Sequence, residues 1–170
     1  TGLTDITLLD GITEIKEYTF AGCIGLKNIS IPNSVTTIGG YAFQNCAMTN
    51  LIIPDSVDTM SGNMLNGCIA LEKLTIPYAA TERERSENGG YDGLTQVSDL
   101  FSSATSLGPW YNLEGYAIHS VAITGGEWVP GHAFYGMSML DEIVLPEDGM
   151  TKIGDHAFYG CTGLARFRPV

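Results

Sequence analysis

Four cysteines carry the most versatile chemistry in the chain, and three of them recur at a nearly constant spacing. Cys46 follows Cys23 by 23 residues and Cys68 follows Cys46 by 22, while Cys161 stands near the end. If one spacing is one turn of a repeat, equivalent side chains stack about 4.8 Å apart with parallel Cβ directions. A disulfide needs Cβ atoms about 3.8 Å apart that face each other, and zinc needs ligands on several sides. We therefore expect free, buried thiols.

The histidines and carboxylates offer little catalytic chemistry. His132 and His156 each lie two residues before a phenylalanine, in a position that holds tyrosine in other repeats, which favours a surface ladder over a metal pair. The adjacent acids at 141–142 and 147–148 lack a partner motif. The sequence has no Gly-x-Ser-x-Gly elbow, phosphate-binding glycine loop or His-Glu-x-x-His. We expect a non-enzymatic chain with no metal and no cofactor.

A repeat of about 22–24 residues must position these side chains. One of its fullest copies reads Phe-x-x-Cys-x-x-Leu-x-x-Ile-x-Ile-Pro at 20–32. The other, at 65–77, has leucine in place of the phenylalanine and of the first isoleucine. The middle of the chain is degenerate, with insertions near 78–96 and 108–117. We expect residues 1–170 to form one domain of six to seven repeats that belongs to a longer protein, with about six phenylalanine-type turns and seven strand segments.

The alternation in Ile-x-Ile places both isoleucines on one face of a short strand, which cannot bury that face alone. Stacked copies bury it, so the pattern predicts a solenoid: a right-handed superhelix with a parallel sheet on one face and short turns or helices on the other. A proline follows four of the strand segments and is expected to end the hydrogen-bonded ladder there: Pro32, Pro54, Pro77 and Pro146. The predicted structural spine comprises the first and fourth positions of the turn pattern: Phe20, Phe43, Leu65, Phe101, Phe134, Phe158, Cys23, Cys46, Cys68 and Cys161.

At this level of detail the repeats resemble a known family. The segments 38–46 and 153–161, both Ile-Gly-x-x-Ala-Phe-x-x-Cys, and the segments 29–35 and 51–57 resemble the BspA-like, or Treponema pallidum type, leucine-rich repeat. The resemblance implies a curved solenoid from a secreted or cell-surface protein of bacteria that live on hosts. It also implies attachment to matrix proteins, cells or other bacteria, and it brings no catalytic residues.

Two surfaces are candidates for partner binding. The first is the outward face of the sheet, where leucine-rich solenoids commonly bind. Its candidate residues are Asn28, Asn50, Lys73, Glu142 and Arg166.

The second surface is an aromatic group in and after the second insertion, because tyrosine and tryptophan at a surface favour protein hot spots or stacking on sugars. It comprises Trp110, Tyr111, Tyr116 and Trp128. Each surface has an alternative interpretation. The sheet face can be a plain solvated surface, and the aromatic rings can simply cover the exposed side of a degenerate repeat.

The net charge of −11 disfavours binding to nucleic acid or anionic lipid. No stretch approaches the roughly 18 apolar residues of a membrane span, so we expect no membrane insertion. The resemblance implies an extracellular or cell-surface module that binds a protein or glycan partner on a host or bacterial surface. The alternatives are a structural spacer and carbohydrate recognition by the aromatic group.

Overall fold

Each repeat contributes one strand to a long parallel sheet, and seven such strands follow one another along the part of the chain that is described. The computed structural model describes residues 2–78, 97–101 and 115–169. The seven strands are β1 (Asp5–Thr7), β3 (Asn28–Ser30), β5 (Asn50–Ile52), β7 (Lys73–Ile76), β8 (Ser120–Ile123), β10 (Glu142–Leu145) and β12 (Arg166–Pro169). Their number and order agree with the predicted solenoid.

Strand register places equivalent repeat positions side by side. Asp5 pairs with Asn28, Asn50 with Lys73, and Glu142 with both Ser120 and Arg166. The hydrogen-bonded ladder runs β1–β3 and then β5–β7–β8–β10–β12. Between these two runs, the Ala47 N–H still donates to the Leu26 carbonyl at 3.0 Å. The outward rows that the alternation predicts are therefore real rows on one face.

The junction between β3 and β5 coincides with a one-residue deletion in the repeat. Leu51 follows Cys46 by five residues, whereas Ile29 follows Cys23 by six. Met48 takes the buried place that Leu26 holds one turn earlier, and both are fully buried. An unbranched methionine suits this role because it adapts to an altered backbone path.

A second parallel sheet of two-residue strands lies between the long sheet and the turns. Its strands are β2 (Glu14–Ile15), β4 (Thr37–Ile38), β6 (Thr59–Met60), β9 (Trp128–Val129) and β11 (Lys152–Ile153). It is formed in two pieces, β2–β4–β6 and β9–β11. The wall opposite the long sheet consists of turns, and the helical element in the described part is the 3-10 helix η1 (Val97–Leu100).

The aromatic spine lies inside the turn wall. Phe43, Phe101 and Phe134 are fully buried, as is Leu65, and Phe20 is 8% exposed. Phe158 is half-buried and packs against the core. Neighbouring rings stack, with centroids 5.8 Å apart for Phe20–Phe43 and 5.3 Å for Phe134–Phe158. Rings of adjacent turns thus pack face to face along the axis of the solenoid.

Two residues in nearly every turn adopt a left-handed backbone. One lies two positions after the phenylalanine slot and is Gly22, Asn45, Gly67, Gly136 or Gly160. The other lies two positions before it and is Tyr18, Tyr41, Asn63, His132 or His156. Glycine adopts this conformation without steric cost, and asparagine tolerates it. These positions let the chain reverse direction within a few residues while its amides bond to the next turn.

Candidate binding surface

The first outward row of the long sheet begins with exposed polar side chains. Asn28, Asn50 and Lys73 are exposed on β3, β5 and β7. The Asn28 Nδ2 donates to Asp5 Oδ1 at 2.6 Å, across the β1–β3 pair. Hydrogen bonds from Thr4 and then Asn28 lower the pKa of Asp5. This end of the row presents amides, one ammonium group and an ionised carboxylate to solvent.

The other end of the row is organised around Glu142. This side chain is only 11% exposed, yet it is charged: its Oε2 accepts from Ser120 Oγ at 3.1 Å and its Oε1 accepts from Arg168. The Arg168 hydrogen bond, the Ser120 hydrogen bond and the two nearby guanidinium groups lower its pKa, although desolvation opposes them. Glu142 is therefore a fixed anion between two strands.

The guanidinium groups of Arg166 and Arg168 pair with carboxylates and are still largely exposed to solvent. Arg166 Nη2 lies 3.1 Å from Asp141 Oδ1, and its Nε lies 3.9 Å from Glu142 Oε1. The side chains of Arg166 and Arg168 remain 55% and 62% exposed. The guanidinium groups are thus oriented by carboxylates while their outer edges stay free for a partner.

His119 continues this charged group along the edge of the sheet where the strands begin. Its Nδ1 lies 3.8 Å from Asp141 Oδ1 and its Nε2 lies 4.0 Å from Glu72 Oε2. The two carboxylates face different ring nitrogens, so they do not converge on one ion. Within the described ranges, no group of three or more His, Cys, Asp or Glu side chains could hold a metal.

A groove of about 620 Å³ lies at the opposite edge, where strands β3, β5 and β7 end. Ser30, Ile52 and Thr75 form its floor, and they belong to the second outward row of the sheet. Asn33 and Asp55, from the turns after β3 and β5, contribute to its wall. The sequence does not predict this groove, because its shape depends on the distance between the turns that follow β3 and β5.

Six copies of the BspA type leucine-rich repeat region match residues 1–89 and 117–168. The chain belongs to the BspA-type leucine-rich repeat family. The unmatched residues fall in the middle of the chain, where the repeat is interrupted. Families of this kind are generally binding or scaffold modules, and no catalytic family matches.

Solved structures of leucine-rich repeat proteins are similar to this BspA-type chain. A leucine-rich repeat protein from Bacteroides ovatus is 31% identical over 95% of this chain and 36% of its own, with a TM-score of 0.59. A leucine-rich cell surface protein from Faecalibacterium prausnitzii is 26% identical over 98% of this chain and 41% of its own, with a TM-score of 0.47. A leucine-rich repeat protein of T. pallidum is 18% identical over 96% of this chain and 79% of its own, with a TM-score of 0.52.

This chain spans well under half the length of the first two of these proteins. None of the curated proteins is similar to it at a significant level. No helix in the described ranges is long and apolar enough to cross a membrane.

The described members of the predicted aromatic group lie apart in the BspA-type solenoid. Tyr116 is half-buried, its ring meets Phe101 edge-on at 5.3 Å, and its hydroxyl accepts from the Gly67 N–H at 2.9 Å. Trp128 starts β9 on the second sheet, with Lys152 Nζ 5.4 Å above its ring. In the sequence, β8 lies between the two residues. Trp110 and Tyr111 lie outside the described residues.

The four cysteines of the repeats are free thiols. Cys46 and Cys68 are buried, while Cys23 and Cys161 are half-buried. Three of the thiols donate a hydrogen bond to the backbone carbonyl oxygen of a phenylalanine in the preceding turn. The distances from Sγ to that oxygen are 3.4 Å for Cys46 and Phe20, 3.0 Å for Cys68 and Phe43, and 3.0 Å for Cys161 and Phe134. Burial raises the pKa of Cys46 to about 12 and that of Cys68 and Cys161 to about 11, so these thiols are poor nucleophiles and poor ligands.

The turn wall carries an exposed ladder of aromatic rings that is only partly foreseen from the sequence. The rings of His132 and His156 stack at 5.3 Å, as expected for equivalent positions. Tyr135 and Tyr159 form a second stack at 5.1 Å beside them. The sequence signal for this second stack is the spacing of 24 residues, which both pairs share.

Proposed function

We propose that this chain is a non-catalytic, extracellular protein-binding module of a bacterial surface protein, and that its partner docks on the outward face of the long sheet. The observation that supports this most is the distribution of charge. The described part of the chain has six lysines and arginines, and three of them, Lys73, Arg166 and Arg168, project from this face.

The face therefore differs in charge from the rest of the molecule. Its two outward rows contain two acids, Asp5 and Glu142, and Glu142 is already neutralised by arginine. The whole chain has a net charge of −11. A partner surface with exposed carboxylates would be attracted to this face and repelled elsewhere, which sets both orientation and association rate.

The orientation of the arginines adds to affinity. Because Asp141 and Glu142 already restrict the guanidinium groups, a partner carboxylate can pair with them at a reduced cost in side-chain entropy. Arginine is enriched among residues that dominate binding energy at protein interfaces. Seven strands give the row a length of about 29 Å, which suits a protein partner better than a small molecule.

The experiment is a binding assay of the purified chain against a panel of immobilised matrix and serum proteins, with two matched variants. Lys73→Glu reverses an exposed charge on the long sheet, and Lys152→Glu makes the same change on the second sheet. We expect Lys73→Glu to weaken binding about tenfold or more, a loss of about 1.4 kcal/mol, and Lys152→Glu to leave it unchanged. Affinity should also fall as salt is raised.

Equal losses in the two variants would contradict docking on the long sheet, and so would binding that neither variant affects. A greater loss with Lys152→Glu would move the contact to the Trp128 side of the second sheet. Binding to no protein of the panel, by a chain shown to be folded, would favour the structural spacer.

A further inference from the structure

The groove at the carboxyl ends of β3, β5 and β7 has a lining that the protein-binding proposal does not use. It contains an amide on Asn33, a carboxylate on Asp55 and hydroxyls on Ser30 and Thr75. Within the described ranges, the side chains of Ser30, Asn33 and Thr75 make no hydrogen bond, so their polar groups are available to a ligand. All four residues line one space of about 620 Å³, a volume common for ligand sites.

Asp55 is the anchored group in this lining. Its Oδ1 accepts a hydrogen bond from Thr124 Oγ1, and the same hydroxyl lies 3.3 Å from the Ile76 carbonyl oxygen. Thr124 follows β8, so this contact reaches from the turn after β5 across the end of β7. One carboxylate oxygen thereby has a fixed partner, and within the described residues the other makes no hydrogen bond.

Ile52 lies in the floor among these polar groups and is 58% exposed. In the register of the sheet its neighbour on β7 is Thr75, so an apolar spot about the size of one side chain is bordered by hydroxyls. A sugar ring has the complementary pattern, because its C–H face is apolar and its rim carries hydroxyls that donate and accept. Carboxylate and amide side chains can pair with two neighbouring hydroxyls at once.

Other ligand classes fit this lining less well. Among the described residues, no lysine, arginine or histidine lines the groove, and Asp55 would repel a phosphate or another anion. Beneath the groove, β3 and β5 are neighbours without a hydrogen-bonded ladder between them, and their close approach leaves no room for an added peptide strand. Among the lining residues, Ile52 is the large apolar side chain that is strongly exposed, which is little for a peptide anchor.

We propose that this groove binds a short, neutral saccharide, with Asp55 and Asn33 pairing with ring hydroxyls and Ile52 contacting the apolar face of a ring. The groove floor belongs to the second outward row of the same sheet face, but Lys73, Arg166 and Arg168 are not among its lining residues, so the proposal does not depend on protein binding through those cations. It also differs from sugar stacking on the aromatic group, because the described residues that line it include no aromatic side chain.

The test measures binding of the folded chain to lactose, N-acetyllactosamine, maltotriose, cellotriose and mannotriose by saturation-transfer NMR and calorimetry. Asp55→Ala removes the anchored carboxylate, and Ile52→Trp fills the groove from an exposed position. Asp58→Asn is the matched control, because Asp58 is an exposed acid three residues away that does not line the groove. We expect at least one probe to bind, both groove variants to weaken it about tenfold or more, and the control to bind like the parent chain.

Lack of binding to every neutral probe at millimolar concentration would overturn the proposal. So would binding that persists in Ile52→Trp and Asp55→Ala, because the sugar would then lie elsewhere. Sialyllactose and an extended peptide library serve as competing probes: if either binds in an Ile52-dependent way and the neutral sugars do not, the groove serves another ligand class. Loss of protein binding in Lys73→Glu has no bearing on these outcomes, so the two proposals fail separately.

Discussion

Side chains on the sheet face show how one residue's environment changes its role. Glu142 and Lys73 occupy the same repeat position, yet Lys73 is exposed and Glu142 is nearly enclosed. The difference comes from Arg168, whose long side chain covers Glu142 while pairing with it. The carboxylate thus links two strands as well as facing a partner, so its contribution to stability should depend on pH.

Removing Arg168 tests that link. The folded-state pKa of Glu142 is lowered, so its stabilising effect is complete above the ordinary value of about 4.5 and is lost as pH falls through the folded value. We expect Arg168→Ala to lower the free energy of unfolding by about 1 kcal/mol at pH 7 and by less at pH 3, where a larger fraction of Glu142 is protonated. Urea unfolding at both pH values measures this difference.

An equal loss at the two pH values would show that Arg168 stabilises the strand through packing alone. Lys152→Ala is the control, since Lys152 makes no contact with Glu142 and should show no such pH dependence.

At the level of elements, consecutive turns approach so closely that some positions leave no room for a side chain. Gly39 follows β4, and a Cβ built there would lie 2.6 Å from the Glu17 nitrogen and 2.9 Å from the Lys16 carbonyl carbon. Both are backbone atoms of the preceding turn, so neither can move aside cheaply. The short second sheet depends on this close approach, because the Gly39 N–H donates to the Ile15 carbonyl at 2.8 Å.

Gly39→Ala should therefore destabilise the fold by about 1–3 kcal/mol, as overpacking does elsewhere. Gly40→Ala is the adjacent comparison, since its nearest contact would be the Gly62 oxygen at 3.3 Å. Chemical unfolding of the two variants compares them directly. A loss from Gly40→Ala as large as that from Gly39→Ala would argue against the close approach as the cause.

Elements of the long sheet are predictable from the sequence because local alternation marks them and a proline follows four of them, β3, β5, β7 and β10. Ile29-x-Ile31-Pro32 locates β3, and the repeat spacing then places Asn28 beside Asp5. The second sheet is harder to predict because strands such as Thr37–Ile38 have two residues, too few for a period to show. They exist because neighbouring turns align their backbones.

The candidate sites were predicted less completely for a related reason. Sequence spacing places residues on a face, so the row from Asn28 to Arg166 followed from it. It does not say which side chains meet across turns far apart in sequence. Thr124 and Asp55 are 69 residues apart, and Tyr116 reaches Gly67 over 49. Both contacts depend on how the interrupted middle of the chain rejoins the stack.

For the whole molecule, η1 is the connection between two blocks of turns. The second sheet is divided there, since β6 belongs to one piece and β9 to the other. On the turn wall, the Leu65 N–H donates to the Leu100 carbonyl at 2.7 Å, and the Val97 N–H donates to the Ala133 carbonyl at 2.7 Å. The long sheet also crosses this junction through the β7–β8 pair.

Leu100→Ala should weaken this junction more than it weakens either block. We expect a loss of about 2–5 kcal/mol together with a shallower unfolding transition, because solenoids unfold in parts when one interface is weak. Leu26→Ala is the matched control, since Leu26 is equally buried within the first block. It should lower stability with an unchanged denaturant slope, and the same slope change in both variants would contradict a special role for η1.

Bonds between turns join nearly equivalent positions throughout: Tyr18 N–H to Gly40 O, Phe20 N–H to Ala42 O and Gly22 N–H to Gln44 O. A repeat that is duplicated or lost as a whole therefore leaves every remaining donor opposite a matching acceptor. Unequal recombination within the gene can lengthen or shorten such a protein by whole turns without redesigning its core. A fractional step would place strand residues against turn residues unless a connecting segment absorbs it, as with the one-residue deletion before β5 and the insertions near 78–96 and 108–117. The stacked part of this protein therefore changes length during evolution in whole repeats.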